Sequence, residues 1–195
     1  MYEKLYITEN HVRVLSLFTS GFGERYIREV AKALVLSPRT AQLILMDLEQ
    51  KGVLESQTKG KIRSYHIRRS GISRRYFTFA EHYKAIVFLD TNLMLKEIVE
   101  KISPFIRGIG IIFGSYAKGT ATKDSDVDLF IAGDADRAVL KKISTTYGID
   151  LSVKIYPLTI LEKNLRTDIL LKEIMKCHVA FLNAEQFVQM VLNNG

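Results

Sequence analysis

Residues 109–133 read IGIIFGSYAKGTATKDSDVDLFIAG, and this stretch decides the C-terminal half of the 195-residue chain. Ile111, Ile112 and Phe113 form a short apolar strand. Gly114-Ser115 follows at once, and a polar turn rich in Gly and Thr leads to a second strand from Asp126 to Ala132. Side chains at i and i+2 of a strand share a face, so Asp126 and Asp128 are neighbours, while Val127 and Leu129 turn into the core. Two hard carboxylates that close repel each other unless a divalent cation neutralises them. Mg2+ (or Mn2+) suits the pair, because Mg2+ takes few protein carboxylates and fills its shell with phosphate oxygens and water. Two such ions, about 3.5–4 Å apart, stabilise both the attacking and the leaving oxygen of a phosphoryl displacement. Gly114 allows close backbone approach to a ligand. Ser115, where strand gives way to a short helix, offers a hydroxyl and N–H groups to an anion.

The spacing is Gly-Ser, ten residues, then Asp-x-Asp. It resembles the signature of the DNA polymerase beta-like nucleotidyltransferase superfamily, and the surrounding letters are similar to its minimal members, whose core reads close to GSxARG…SDIDL. The resemblance covers about residues 95–192. It implies a third carboxylate on a later strand, and Asp150 in GIDLSVKI (residues 148–155), after a helix over Arg137–Tyr147, matches by position. On that reading Asp150 helps to deprotonate an acceptor hydroxyl and shares the metal site. Lys118 stands where the family usually has Arg and would steady a phosphate as a point charge, not as a fork. The tail ILLKEIMKCHVAFLNAEQFVQMVL matches the family's closing helix, short strand and helix.

Working outward to the N-terminal side, His11 to Phe18 reads as a short helix ending near Gly21. Ile27, Val30, Ala31 and Leu34 fall on one helical face. Ser37 is an N-cap signal and Pro38 suits the first helical position. Ala41, Ile44, Leu45 and Leu48 continue as one stripe until Gly52 stops the helix. Two helices three residues apart make a helix-turn-helix pattern. Val53–Ser56 and Ile62–Ile67, joined by Thr58-Lys59-Gly60-Lys61, read as a hairpin. Over roughly residues 8–68, SPRTAQLILMDLEQKGVL and the hairpin ending IRSYHI resemble the winged-helix DNA-binding family. The resemblance implies that Arg39, Thr40 and Gln42 reach base edges from a recognition helix. Lys59, Lys61 and Arg63 would then form a basic wing on the DNA backbone. Winged helices also serve as protein-interaction modules, and Leu43 and Met46 make this helix greasier than a purely DNA-facing one.

Charge is divided between the halves. Residues 1–80 hold 14 Lys/Arg against 7 Asp/Glu, and residues 81–195 hold 14 against 14, so the whole net charge of +7 lies in the first part. Clustered positive charge attracts a phosphate backbone; a solvated basic surface accounts for it equally well. Residues 68–101 read as a connector, with a basic cluster (Arg68, Arg69, Arg74, Arg75) and helices over Tyr76–Leu89 and Leu93–Ile102. A composition 47% hydrophobic and 25% charged supports a real core. No apolar run approaches the roughly 20 residues of a membrane span, and MYEKLYITEN lacks the features of a secretory signal. The single cysteine, Cys177, excludes an internal disulfide and fits a reducing, cytoplasmic setting. His11, His66, His82 and His178 show no metal-ligand spacing and read as structural.

The expected fold class is α+β: a winged helix-turn-helix over residues 1–69, a helical connector over 70–94 and an α/β nucleotidyltransferase fold with a mixed sheet over 95–195. The expected activity is transfer of NMP, with AMP favoured, from an NTP to a hydroxyl on a protein or small molecule, using two Mg2+ or Mn2+ ions. Expected partners are the NTP, double-stranded DNA and a protein acceptor or toxin partner, with no membrane; a homodimer stays open. The alternative is a DNA-binding, antitoxin-like regulator whose nucleotidyltransferase domain senses nucleotide or docks a partner.

Overall fold

The computed structural model describes residues 6–20 and 23–194; the expected helix stop at Gly21 lies outside them. The chain divides into two compact units, Met1–Ala80 and Glu81–Asn194. Among the described residues no helix is long and apolar enough to cross a membrane.

The first unit begins with α1 (Glu9–Thr19), β1 (Arg25–Tyr26), α2 (Ile27–Leu34) and α3 (Pro38–Gln50). Three residues separate α2 from α3, as the pattern requires. Ser37 caps α3 by accepting the Thr40 N–H at 3.0 Å, and Ala41, Ile44, Leu45 and Leu48 are its buried stripe. The stop of α2 was not foreseen: Val35 takes the left-handed conformation (φ 55°), which a β-branched side chain adopts only under strain. Strands β2 (Leu54–Lys59) and β3 (Ile62–Ile67) form the hairpin, and β3 also pairs with β1 in a three-stranded antiparallel sheet. The turn is tighter than expected, Gly60-Lys61 alone, because Gly60 is left-handed (φ 61°).

Helix α4 (Gly71–Thr91) starts five residues earlier than periodicity suggested. The Ser70 hydroxyl accepts the Ser73 N–H and provides the missing start signal. Then follow α5 (Leu93–Ile102), a 3-10 turn, β4 (Ile106–Phe113), α6 (Gly114–Lys118) and β5 (Val127–Ala135). The chain ends with α7 (Arg137–Tyr147), β6 (Leu151–Tyr156), α8 (Leu158–Asn164), α9 (Ile169–Lys176), β7 (Val179–Leu182) and α10 (Ala184–Asn194).

The second sheet is mixed, in the order β6-β5-β4-β7. β5 runs parallel to β6, and the other two pairings are antiparallel. Parallel neighbours need a crossover, and α7 supplies it, capped by Asp136 and stopped at left-handed Gly148. Strand alternation divides β5. Val127, Leu129 and Ile131 enter a core with Ile98, Val99 and Ile102 of α5 and Leu140 of α7. Asp128 and Phe130 take the other face, where Phe130 meets Tyr156 edge-on at 5.4 Å.

Candidate active site

The site is assembled at one end of the sheet by the β4–β5 pairing. Phe113, the last residue of β4, is opposite Asp128, so the chain leaves β4 at Gly114 beneath the Asp128 carboxylate. Gly114 is left-handed (φ 70°), and a β-carbon on it would collide with Asp128 Oδ2 and Cγ. Glycine is required here twice over, by dihedral angle and by space. Ser115 follows in α6, half-buried, and its carbonyl accepts the Thr120 N–H at 3.0 Å to close the loop. Thr122, Lys123, Asp124 and Ser125 then form a turn tied by the Thr122 N–H to Ser125 Oγ (2.8 Å), in keeping with a turn-forming role for Asp124 and Ser125.

Asp126 lies one residue before β5 and is exposed; Asp128 is half-buried. Burial, then the charge of Asp126, pushes the Asp128 carboxyl above the usual carboxylate range, against the Ser152 hydroxyl, Lys154 and Lys118. A half-buried carboxylate whose ionisation is opposed by an exposed neighbour is a donor set that suits a hard divalent cation.

Asp150 occupies the position just before β6, level with Asp126 in the parallel register, and its carbonyl accepts the Val127 N–H at 2.8 Å. Asp150 is exposed and is one of the residues bordering a cleft beside α7. Among the described residues no group of three His, Cys, Asp or Glu side chains is gathered closely enough to hold an ion. The β6 residue opposite Asp128 is Ser152, which sequence reading passed over; only the strand register reveals it. Lys118 is ion-paired with Glu173 of α9 at 3.0 Å, and Glu173 also holds Lys176 at 2.9 Å. Cys177 donates to the Ala117 carbonyl at 3.0 Å, anchoring α6, and burial raises its thiol pKa.

In the first unit, Arg39, Gln42, Lys59, Lys61 and Arg63 line a groove of about 840 Å3 with Arg28 and Glu24. Arg63 is engaged within the protein, on Glu49 (2.5 Å), on Ser56 (2.9 Å) and over the Tyr65 ring. The Thr40 hydroxyl bonds that of Ser37 at 2.8 Å.

A profile of the family described as "Nucleotidyltransferase domain" matches residues 94–194. The CCA-adding enzyme of Thermoplasma volcanium is 48% identical over 48 residues, 24% of this chain and 11% of that enzyme. The CCA-adding enzyme of Thermoplasma acidophilum is 38% identical over 71 residues, 34% of this chain and 16% of that enzyme. A Methanocaldococcus jannaschii protein provisionally named a protein adenylyltransferase is 39% identical over 64 residues, 31% of this chain and 56% of that protein. The chain thus spans little of the two enzymes and about half of the third relative. A solved structure of TrmBL2, an archaeal chromatin protein, aligns over 88% of this chain and 71% of its own at 13% identity, but a TM-score of 0.31 is too low to carry weight. The geometry of Gly114, Ser115, Asp126 and Asp128 lies wholly within the matched half, and the chain belongs to the nucleotidyltransferase domain family.

Proposed function

We propose that this chain transfers a nucleoside monophosphate, AMP by preference, from an NTP to a hydroxyl of a protein or small molecule. The observation that carries the reading is the convergence of Gly114, Ser115 and the Asp126/Asp128 pair at one end of the sheet. Gly114 leaves the backbone bare where the triphosphate approaches, and Ser115 offers its hydroxyl and N–H to the terminal phosphates. Asp126 and Asp128 would hold two Mg2+ or Mn2+ ions, with Asp150 at the margin; when bound, these supply charge neutralisation for the α-phosphate and its leaving group. The acceptor oxygen forms a bond to the α-phosphorus, the bond from that phosphorus to the β-phosphate bridging oxygen breaks, and pyrophosphate leaves. The hydroxyl proton passes to a carboxylate oxygen of Asp150. Lys118 releases Glu173 to meet the incoming phosphate.

The test uses α-labelled NTP with cell extract as the acceptor source. Wild type moves label onto an acceptor, and Asp126→Asn does not. Asp150→Asn retains NTP binding but cuts transfer by about 10²–10⁴, the range of a lost general base. If no NTP and no metal yields transfer, the enzyme reading fails.

The basic groove favours a second role. The order α1, β1, α2, α3, β2, β3 supports a winged helix-turn-helix head, with Arg39 and Gln42 facing bases and Lys59 and Lys61 facing phosphates of double-stranded DNA. With that head, the nucleotidyltransferase domain would report nucleotide or a docked toxin-like partner to a DNA-bound regulator.

A further inference from the structure

Among the described residues strand β6 is an edge strand, bonded on one side only, to β5. The Val127 N–H to Asp150 carbonyl bond sets the phase of that ladder. In a parallel pair every second residue of a strand turns both backbone groups toward the neighbour, so Asp150, Ser152 and Lys154 face β5. Leu151, Val153 and Ile155 therefore turn their N–H and C=O groups outward, as a free template for another strand.

The ground beside this edge is basic and open. A cleft of about 480 Å3 lies between α7 and β6, lined by Arg137, Lys141, Thr145, Asp150, Leu151 and Val153. Arg137 and Lys141 stand one helical turn apart on α7, and Lys154 is exposed on the opposite face of β6. A strand added here would send alternate side chains to the two faces of the sheet and meet a cation on each. Its end beside Leu151 would lie next to Asp150, where the proposed reaction needs a hydroxyl.

Resting on the nucleotidyltransferase reading above, we infer that the acceptor is a polypeptide. An extended, acidic segment adds to the β6 edge as a fifth strand and presents a Ser, Thr or Tyr hydroxyl at Asp150. Main-chain bonds to Leu151, Val153 and Ile155 hold the segment, and Arg137, Lys141 and Lys154 select its acidic side chains. Such docking is sequence-tolerant along the backbone and selective for charge.

The probe is a fluorescein-labelled peptide of about eight residues, a common strand length, alternating Glu with Thr, titrated by anisotropy against the full chain without NTP. A second peptide carries Lys in place of Glu. The acidic peptide binds at least about tenfold more tightly than the basic one. Arg137→Glu with Lys141→Glu cuts that preference at an unchanged melting temperature, leaving the share of Lys154. Val153→Pro, which deletes an outward N–H and spares the β5 ladder, weakens the acidic peptide while NTP binding persists. Equal binding of both peptides, or acidic binding indifferent to the charge reversal, overturns the docking site. Label transfer to extract protein is measured separately: transfer without peptide binding sinks the docking surface alone, and peptide binding without transfer sinks the catalytic reading alone.

Discussion

The Asp128 carboxylate lies where a side chain of residue 114 would begin, so Gly114 and Asp128 act as one structural unit. Gly114→Ala must displace the carboxylate and also hold a side chain at φ 70°, which costs about 1–2 kcal/mol. We expect a modestly lower melting temperature and loss of metal-dependent ATP affinity as complete as that of Asp128→Asn. Calorimetric titration with and without Mg2+ checks it. ATP binding by Gly114→Ala at wild-type strength would show that Asp128 is not where nucleotide and metal meet.

Lys118 is held by Glu173, and that pair competes with any phosphate for the same ammonium. Both side chains are about half exposed, so the pair contributes roughly 0–1 kcal/mol. Glu173→Gln therefore raises ATP affinity by a factor of up to about five at low salt, and Lys118→Ala lowers it. Glu173→Gln in a Lys118→Ala background has no further effect. An increase that survives in the double variant would show that Glu173 acts by some route other than Lys118.

Glu81 and His178 are buried together in the second unit, with Lys84 2.7 Å and His178 3.5 Å from the Glu81 carboxylate. Burial opposes the Glu81 charge, yet Lys84 and His178 overcome it and hold the carboxyl below its ordinary range. Burial, reinforced by Lys84, holds the His178 ring below its usual 6.5 in spite of Glu81. Both folded-state values are depressed, so both groups lose stability in the same direction. The unfolded chain takes up a proton on His178 as pH falls through 6.5, and on Glu81 as it falls through 4.5. The melting temperature should be level above neutrality, decline below pH 6.5 and decline again below pH 4.5. His178→Gln should reduce the first decline, leaving the share of His11, whose ring burial also holds below 6.5. An unaltered pH profile in that variant would place the acid sensitivity in other groups.

The Gly-Ser and Asp-x-Asp pair was legible from spacing: the two carboxylates stand two positions apart at the start of β5, and the adjacent β4–β5 pairing sets Gly114 beneath Asp128. The start of α3 was legible for the same reason, since Ser37, Pro38 and Thr40 complete their cap within four residues. What escaped reading depends on long-range register. Ser152 meets Asp128 only through the β5–β6 alignment, Lys118 and Glu173 are 55 positions apart, and Glu81 reads as an ordinary charged helical residue until His178 folds over it. Asp150 lies between these cases. Its place before β6 follows from family resemblance, whereas the cleft beside it follows from the packing of α7.

The proposed DNA-binding head makes its own distinction among cations. Lys61 lies at the hairpin tip and is exposed, whereas Arg63 is tied to Glu49 and Ser56 and stacks over Tyr65. A phosphate contact requires a free cation, so Lys61→Ala in the full chain should weaken all duplex sequences alike and reduce the salt slope by about one. Arg63→Ala should mainly loosen the wing, lowering the melting temperature with a smaller change in salt slope. Gln42→Ala, in the groove beside Arg39, should shift sequence preference with little change in that slope. Anisotropy titrations across a salt series read all three variants. A flat salt response in the wild type would remove the phosphate contacts on which the head is argued, leaving the groove as a surface for protein. DNA affinity that shifts on adding ATP, in a chain that transfers no label, would instead make the carboxylate site a nucleotide sensor.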